Sequence, residues 1–304
     1  MEPLAEQQPD EPEGHLSRSE RAKAQAAAIQ ARAKLLAERA QVERQRHASV
    51  DAVFEMADRD SEVGGGIMAG ALAYRLFIWL LPAALVAVAG LGVAARASSN
   101  SPESEANSLG VAGVVSSSIA DAANSPARWY ALLVGIPILI YTTRSVLRTL
   151  IVVHRLVWAD VRAAVPKPKL GATLQLLTAF IGFFVIAALA SLVRASSVGG
   201  GLVVMLLIPL PFAALWLLIS MRLPHRVAPS RALIPGAIFV GVGLEALHIV
   251  AAYAIAPYAA SKQGTYGSLG TAAALLLGLF VISRLVVASA VLNATLWQRA
   301  AAKR

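Results

Sequence analysis

Arg144, Arg148 and Arg155 interrupt an otherwise apolar run, ILIYTTRSVLRTLIVVHRLVW from Ile138 to Trp158, and Arg162 follows it. At about 100° per residue, Arg148 stands about 40° round a helix from Arg144, Arg155 stands about 20° round, and Arg162 returns to the start. A helix carried through to Arg162 would hold four guanidinium groups on a narrow stripe about 27 Å long. Arginine grips phosphate with two parallel N–H donors. One reading of the stripe is therefore a basic track that receives phosphate groups. The other is the inner end of a span whose arginines snorkel to the surface and set orientation. Both place the stripe at or near the inner leaflet.

Three charges lie deeper in apolar sequence: Arg75, Glu245 and Arg284, with His248 one helical turn after Glu245. A lone charge at a bilayer centre costs about 2.5–3.5 kcal/mol on insertion scales, so such residues face the bundle interior and pair. Glu245 is the only carboxylate in any apolar segment. It is the natural partner for Arg284 and, after it, for Arg75. The pairing reads as an ion pair that fixes helix register. It reads equally as part of a polar cavity for an anionic headgroup or a proton step. His248 is either a pH-coupled neighbour of Glu245 or a helix-packing residue.

Other chemistries find little support. Metal-dependent hydrolysis needs clustered His, Asp and Glu. The histidines, His15, His47, His154, His225 and His248, are scattered, and after residue 62 the only carboxylates are Glu103, Glu105, Asp121, Asp160 and Glu245. The chain has no cysteine, hence no thiolate metal site. No zinc-protease, phosphate-loop or serine-hydrolase motif occurs. The expectation is a non-enzyme with no metal and no other cofactor. Nucleic acid is not an expected partner either, because the basic residues lack interleaved aromatics for base stacking.

The elements that must hold these residues are membrane spans. Hydrophobic residues make up 57% of the chain, charged residues 15%, and mean hydropathy is +0.63. Soluble domains run near 45–50% and about 25%. Six apolar segments, about 67–93, 129–153, 172–193, 200–221, 233–256 and 269–296, each reach the roughly 20 residues that cross a bilayer. Pro82, Pro137, Pro209 and Pro211 fall inside them as tolerated kinks. The fold class is all-α, a polytopic membrane protein of six transmembrane helices with a helical N-terminal extension in the cytosol.

Charge sets the orientation. Residues 1–62 carry 13 of the 18 acidic residues and 9 of the 27 Lys and Arg, so the positive excess belongs to the membrane part. From the first loop to the tail the Lys/Arg counts run 2, 4, 1, 3, 1 and 3, after nine in the N-terminal segment. This alternation places both termini in the cytoplasm. Anionic lipid headgroups are the expected partners of the basic loops.

Within 1–62, residues 1–14 read as disordered and 18–47 as a charged, solvated helix. Ala22, Ala26, Ile29, Ala33, Leu36 and Ala40 form a faint heptad seam, which offers a contact for a homo-oligomer or a cytosolic partner. Residues 49–61 are amphipathic, with Val50, Val53, Phe54 and Ala57 on one face. They lie along the interface or pack on the cytosolic ends of the bundle. Gly64-Gly65-Gly66 allows a turn into the first span, residues 63–298 form the membrane domain, and 299–304 are a cytosolic tail.

MAGALAYRLFIWLLPAALV (68–86), RLP (222–224) with RALIPGAIFVGVGLEALHIVAAYAIAPY (231–258), and TYGSLGTAAALLLGLFVISRLVVASAVLNA (265–294) follow one another in the order and spacing of a known family. The chain resembles the YihY/BrkB family of bacterial inner-membrane proteins along residues 50–298, and its YhjD-like branch in particular. The matching motif positions are Tyr74, Pro82, Pro224, Gly236, Tyr266, Gly267 and Gly270, with Tyr266 to Gly270 the sharpest element. Gly278 and Phe280 replace the usual aromatics, and the Glu of the family's last motif is missing here, so no role for it carries over. The resemblance implies a six-span helical protein and links to virulence and envelope lipid traffic. The expected function is a transporter or flippase-like handler of an anionic amphipathic envelope component such as a lipid. A non-catalytic scaffold or assembly factor for envelope biogenesis is the alternative.

Overall fold

The computed structural model describes residues 23, 25–32, 34–35, 44, 46–97, 127–159, 165, 167–196, 207–251 and 256–303. Two units are distinguished, Met1–Phe54 and Glu55–Arg304. In the first, the described residues between 25 and 32 are helical, and Ile29 of the expected seam is exposed. The remaining large seam residue, Leu36, and the expected disordered stretch 1–14 lie outside the described residues. Arg44 reaches Asp51 at 2.8 Å, and its guanidinium lies 5.6 Å over the Phe54 ring.

Helix α1 runs from Ala48 to Glu62 and ends at Gly64, whose φ of +67° is a left-handed turn that only glycine adopts at no steric cost. The next helices are α2 (Gly65–Ala97), α3 (Ala127–Val157), α4 (Leu170–Ser196), α5 (Pro209–Ser220), α6 (Ile234–Val250) and α7 (Ala256–Ala302). A 3-10 turn, Ser230–Leu233, leads into α6. Among the described residues there is no strand.

Five helices are long and apolar enough to cross a membrane: Gly65–Gly90, Trp129–Val157, Leu170–Ala190, Ser230–Val250 and Ala272–Ala302. The remaining expected span, 200–221, is described as the 12-residue helix α5, because residues 201–206 lie outside the described set. Pro209 and Pro211 lie in the first turn of α5, and Leu207 just before it is also helical. Their missing N–H groups fall where a helix has no internal acceptor for them. Pro82 and Pro137 do sit inside α2 and α3.

Each of α2 to α7 packs on its successor, and α7 returns to α2, so six helices close a ring. Two apolar clusters fill it. The first gathers Leu72, Trp79, Val146, Leu150, Leu176, Trp216 and Val240. The second gathers Met68, Val153, Val157, Trp158, Leu233, Val287, Ala290 and Val291, with Met56 and Val63 against it. In α7, Val287, Ala290, Val291 and Ala294 are all buried at i, i+3, i+4, i+7. Small side chains there let the helices approach closely. Gly236 shows how closely: a Cβ on it would stand 2.5 Å from the Ser289 carbonyl oxygen.

Of the two placements considered for 49–61, the structure shows packing on helix ends, for residues from Glu55 on. Glu55 Oε2 accepts a bond from Arg299 at 2.6 Å. Arg59 donates to the Val157 carbonyl at 2.7 Å and to Gln298. Burial pushes the Arg59 guanidinium below its ordinary pKa, opposed by the charges of Glu55 and Glu62.

Candidate functional site

Arg75 faces outward from α2, beside the exposed Tyr74 of the family-like run. Arg144 and Arg148 stand one turn apart on the adjoining α3 and are likewise exposed. The segment leading into α4 brings Lys167 to the same place. These four cations line one open groove of about 650 Å³, with Tyr141, Ser145 and Thr149 between them. Among the described residues its wall contains no carboxylate. None of the four cations has an ion-pair or hydrogen-bond partner among the described residues. The groove is a set of positive donors at close quarters, and no described residue neutralises it. That arrangement suits an anion with several acceptor oxygens.

The four-arginine stripe required α3 to run on to Arg162, and it ends earlier. Helix α3 stops at Val157, and Ala159 takes a left-handed φ of +52°. Arg155 is 9% exposed and lies outside the groove wall. Arg162 falls outside the described residues. The groove instead recruits Arg75 from another helix and Lys167 from a connection, because α2 and α3 share the most extensive helix contact in the bundle.

Arg75, Glu245 and Arg284 go to three different places. The expected pair between Glu245 and Arg284 is not made. Arg284 binds Asp60, each guanidinium terminal nitrogen 2.9 Å from one carboxylate oxygen. The expectation failed because Asp60 precedes the first span in sequence, and the turn at Gly64 folds it back onto α7. Glu245 is 5% exposed and lines a second, central cavity of about 420 Å³, as does His248. Every helix from α2 to α7 contributes to that cavity, and the other described residues of its wall are apolar.

Two polar links escaped sequence reasoning. Trp79 Nε1 donates to Thr143 Oγ1 at 2.8 Å, and that hydroxyl donates to Leu139 O at 2.7 Å. This ties α2 to α3 directly behind the groove. Asn293 accepts from the Gly236 N–H at 2.7 Å and donates to Leu233 O at 3.2 Å. A helix N-terminus leaves such donors orphaned, and a side chain of α7 satisfies this one. The sequence signal was present in both cases, as polar residues (Thr142-Thr143, Asn293) inside apolar runs.

Of the other motif positions, Pro224 lies half-buried in the turn after α5. Tyr266, Gly267 and Gly270 fall within α7, in a stretch whose side chains lie outside the described set. Among the described residues no group of three His, Asp or Glu is placed to hold a metal ion.

Residues 58–304 match the family model described as Virulence factor BrkB. The chain belongs to the BrkB family. The match takes in Asp60, the six-helix ring and the basic groove, so the architecture described above is that of a BrkB family member. No match was found among curated proteins or among solved structures.

Proposed function

We propose that this BrkB family protein handles an anionic amphipathic lipid in the cytoplasmic membrane, as a transporter or flippase, and that the groove of Arg75, Arg144, Arg148 and Lys167 receives the headgroup. The observation that carries this reading is the convergence of four cations from α2, α3 and the following connection on one groove, where no described residue pairs with them and no described carboxylate lines the wall. A phosphate-bearing headgroup supplies the missing charge. Exposed apolar residues beside the groove, Ile78 on α2 and Ile138 on α3, offer acyl chains a surface next to that headgroup. By loop charge both termini are cytoplasmic, which puts basic residues against the anionic leaflet. No catalytic step belongs to this reading.

One observation favours the scaffold alternative: Arg284 is engaged by Asp60 in a helix-docking ion pair and is not available to a ligand.

Native mass spectrometry of the purified chain with phosphatidylglycerol or cardiolipin, against phosphatidylcholine, tests the groove. Retention of the anionic lipids is expected, weakened at least tenfold by joint Arg144→Gln and Arg148→Gln. Equal retention by that variant would sink the groove. Reconstitution with fluorescent phosphatidylglycerol and dithionite quenching then separates the readings. Accelerated exchange between leaflets supports the transporter, and binding without exchange supports the scaffold.

A further inference from the structure

The central cavity has a chemistry opposite to that of the groove. Its volume of about 420 Å³ is that of a small-molecule site. Trp79, Phe180, Phe184 and Trp216 supply large aromatic surface in its wall. Trp79 and Phe184 are stacked, with centroids 6.4 Å apart, and Phe180 meets Trp79 edge-on at 4.7 Å. Among the described residues the wall contains no Lys and no Arg, and its one basic residue is His248. It does contain Glu245, the one acidic residue in the membrane-spanning helices.

We propose that this cavity is a binding site for lipophilic organic cations, with the aromatic wall taking the apolar body and Glu245 facing the positive centre. A desolvated cation is attracted both by that carboxylate and by indole and phenyl faces. A carboxylate in the wall disfavours the anionic headgroup assigned to the groove. The two sites also lie on different faces of α3: Val146 and Leu150 look into the cavity, and Arg144 and Arg148 look into the groove. This inference therefore goes beyond the lipid reading and does not depend on it.

The test uses the full chain purified in detergent without added lipid, and tritiated tetraphenylphosphonium as the probe. Saturable binding is expected, displaced by unlabelled tetraphenylphosphonium. Tetraphenylborate, an anion of the same shape, should not displace it. Glu245→Gln should weaken binding at least tenfold, while Glu245→Asp should stay within about threefold of wild type. Leu76→Trp keeps the carboxylate, fills the cavity, and should abolish binding. The proposal is overturned by the absence of saturable binding, by equal competition from tetraphenylborate, or by a Glu245→Gln protein that binds as tightly as wild type. Should Glu245→Gln fail to fold, the borate competition and Leu76→Trp decide: retained binding in Leu76→Trp overturns the site. No anionic lipid is present, so failure here leaves the groove untouched.

Discussion

Asp60 and Arg284, 224 residues apart in sequence, form a two-pronged ion pair with both N···O distances at 2.9 Å. It docks the end of α1 against the middle of α7. The Asp60 side chain is 17% exposed and that of Arg284 36%, so solvent screens the pair only partly. Asp60→Asn is expected to lower stability by about 1–2 kcal/mol. Thermal denaturation of a double-mutant cycle with Arg284→Gln should return a coupling of similar size. The same cycle run on Glu245→Gln and Arg284→Gln should be additive, because those side chains do not meet.

Gly65 and Gly66 are chemically equivalent neighbours with different consequences. A Cβ at Gly65 would overlap the Asp60 carboxylate, whereas a Cβ at Gly66 meets nothing within 4 Å. Gly65→Ala should cost most of the Asp60–Arg284 coupling. Gly66→Ala should be neutral or stabilising by up to about 1 kcal/mol from helix propensity. In an Arg284→Gln background the penalty of Gly65→Ala should vanish. A penalty that persists there, read as Tm, would show that Asp60 is not its cause.

Gly236→Ala should be among the most damaging single changes in α6. The added methyl would lie 2.5 Å from both Asn293 Nδ2 and the Ser289 carbonyl oxygen. Overpacking of this kind costs about 1–3 kcal/mol. Adding Asn293→Ala should recover only part of the loss, since the Ser289 oxygen belongs to the backbone and stays. Full recovery, measured as monodisperse yield on size exclusion, would contradict the close backbone approach.

Reporter fusions test the orientation. A periplasm-active reporter at either terminus should be silent, and a cytoplasm-active one should work at both. Opposite results at the two ends would require an odd number of crossings, and with it a residue 197–221 segment that does not span.

Hydropathy alone made five of the helices legible, and loop charge gave a consistent orientation, because bilayer thickness and headgroup charge act on local sequence. Azimuth was less legible. Arg144 and Arg148 could be placed on one face by counting, but no periodicity says that Arg75 of α2 faces the same way. That requires the α2–α3 packing itself. The end of α3 at Val157 was not legible either, because Ala159, a non-glycine residue, adopts a positive φ that no propensity argument anticipates. Asp60 was missed for a related reason. The partner of Arg284 was sought inside the spans, and a folded-back end of α1 supplied it from outside.

Closure of the ring by α7 against α2 sets a constraint on biosynthesis. Chains emerge N-terminus first, so α2 enters the bilayer before its last neighbour has been translated. Until α7 arrives, Met68 and Ala69 lack the Val287 and Val291 surface that completes their cluster, and Asp60 has no guanidinium to meet. The first span of this protein is thus a half-finished surface for most of translation. A ribosome stalled before residue 272 should leave a chain that lacks its last crossing and is open along one seam, and quality-control proteases would meet it there.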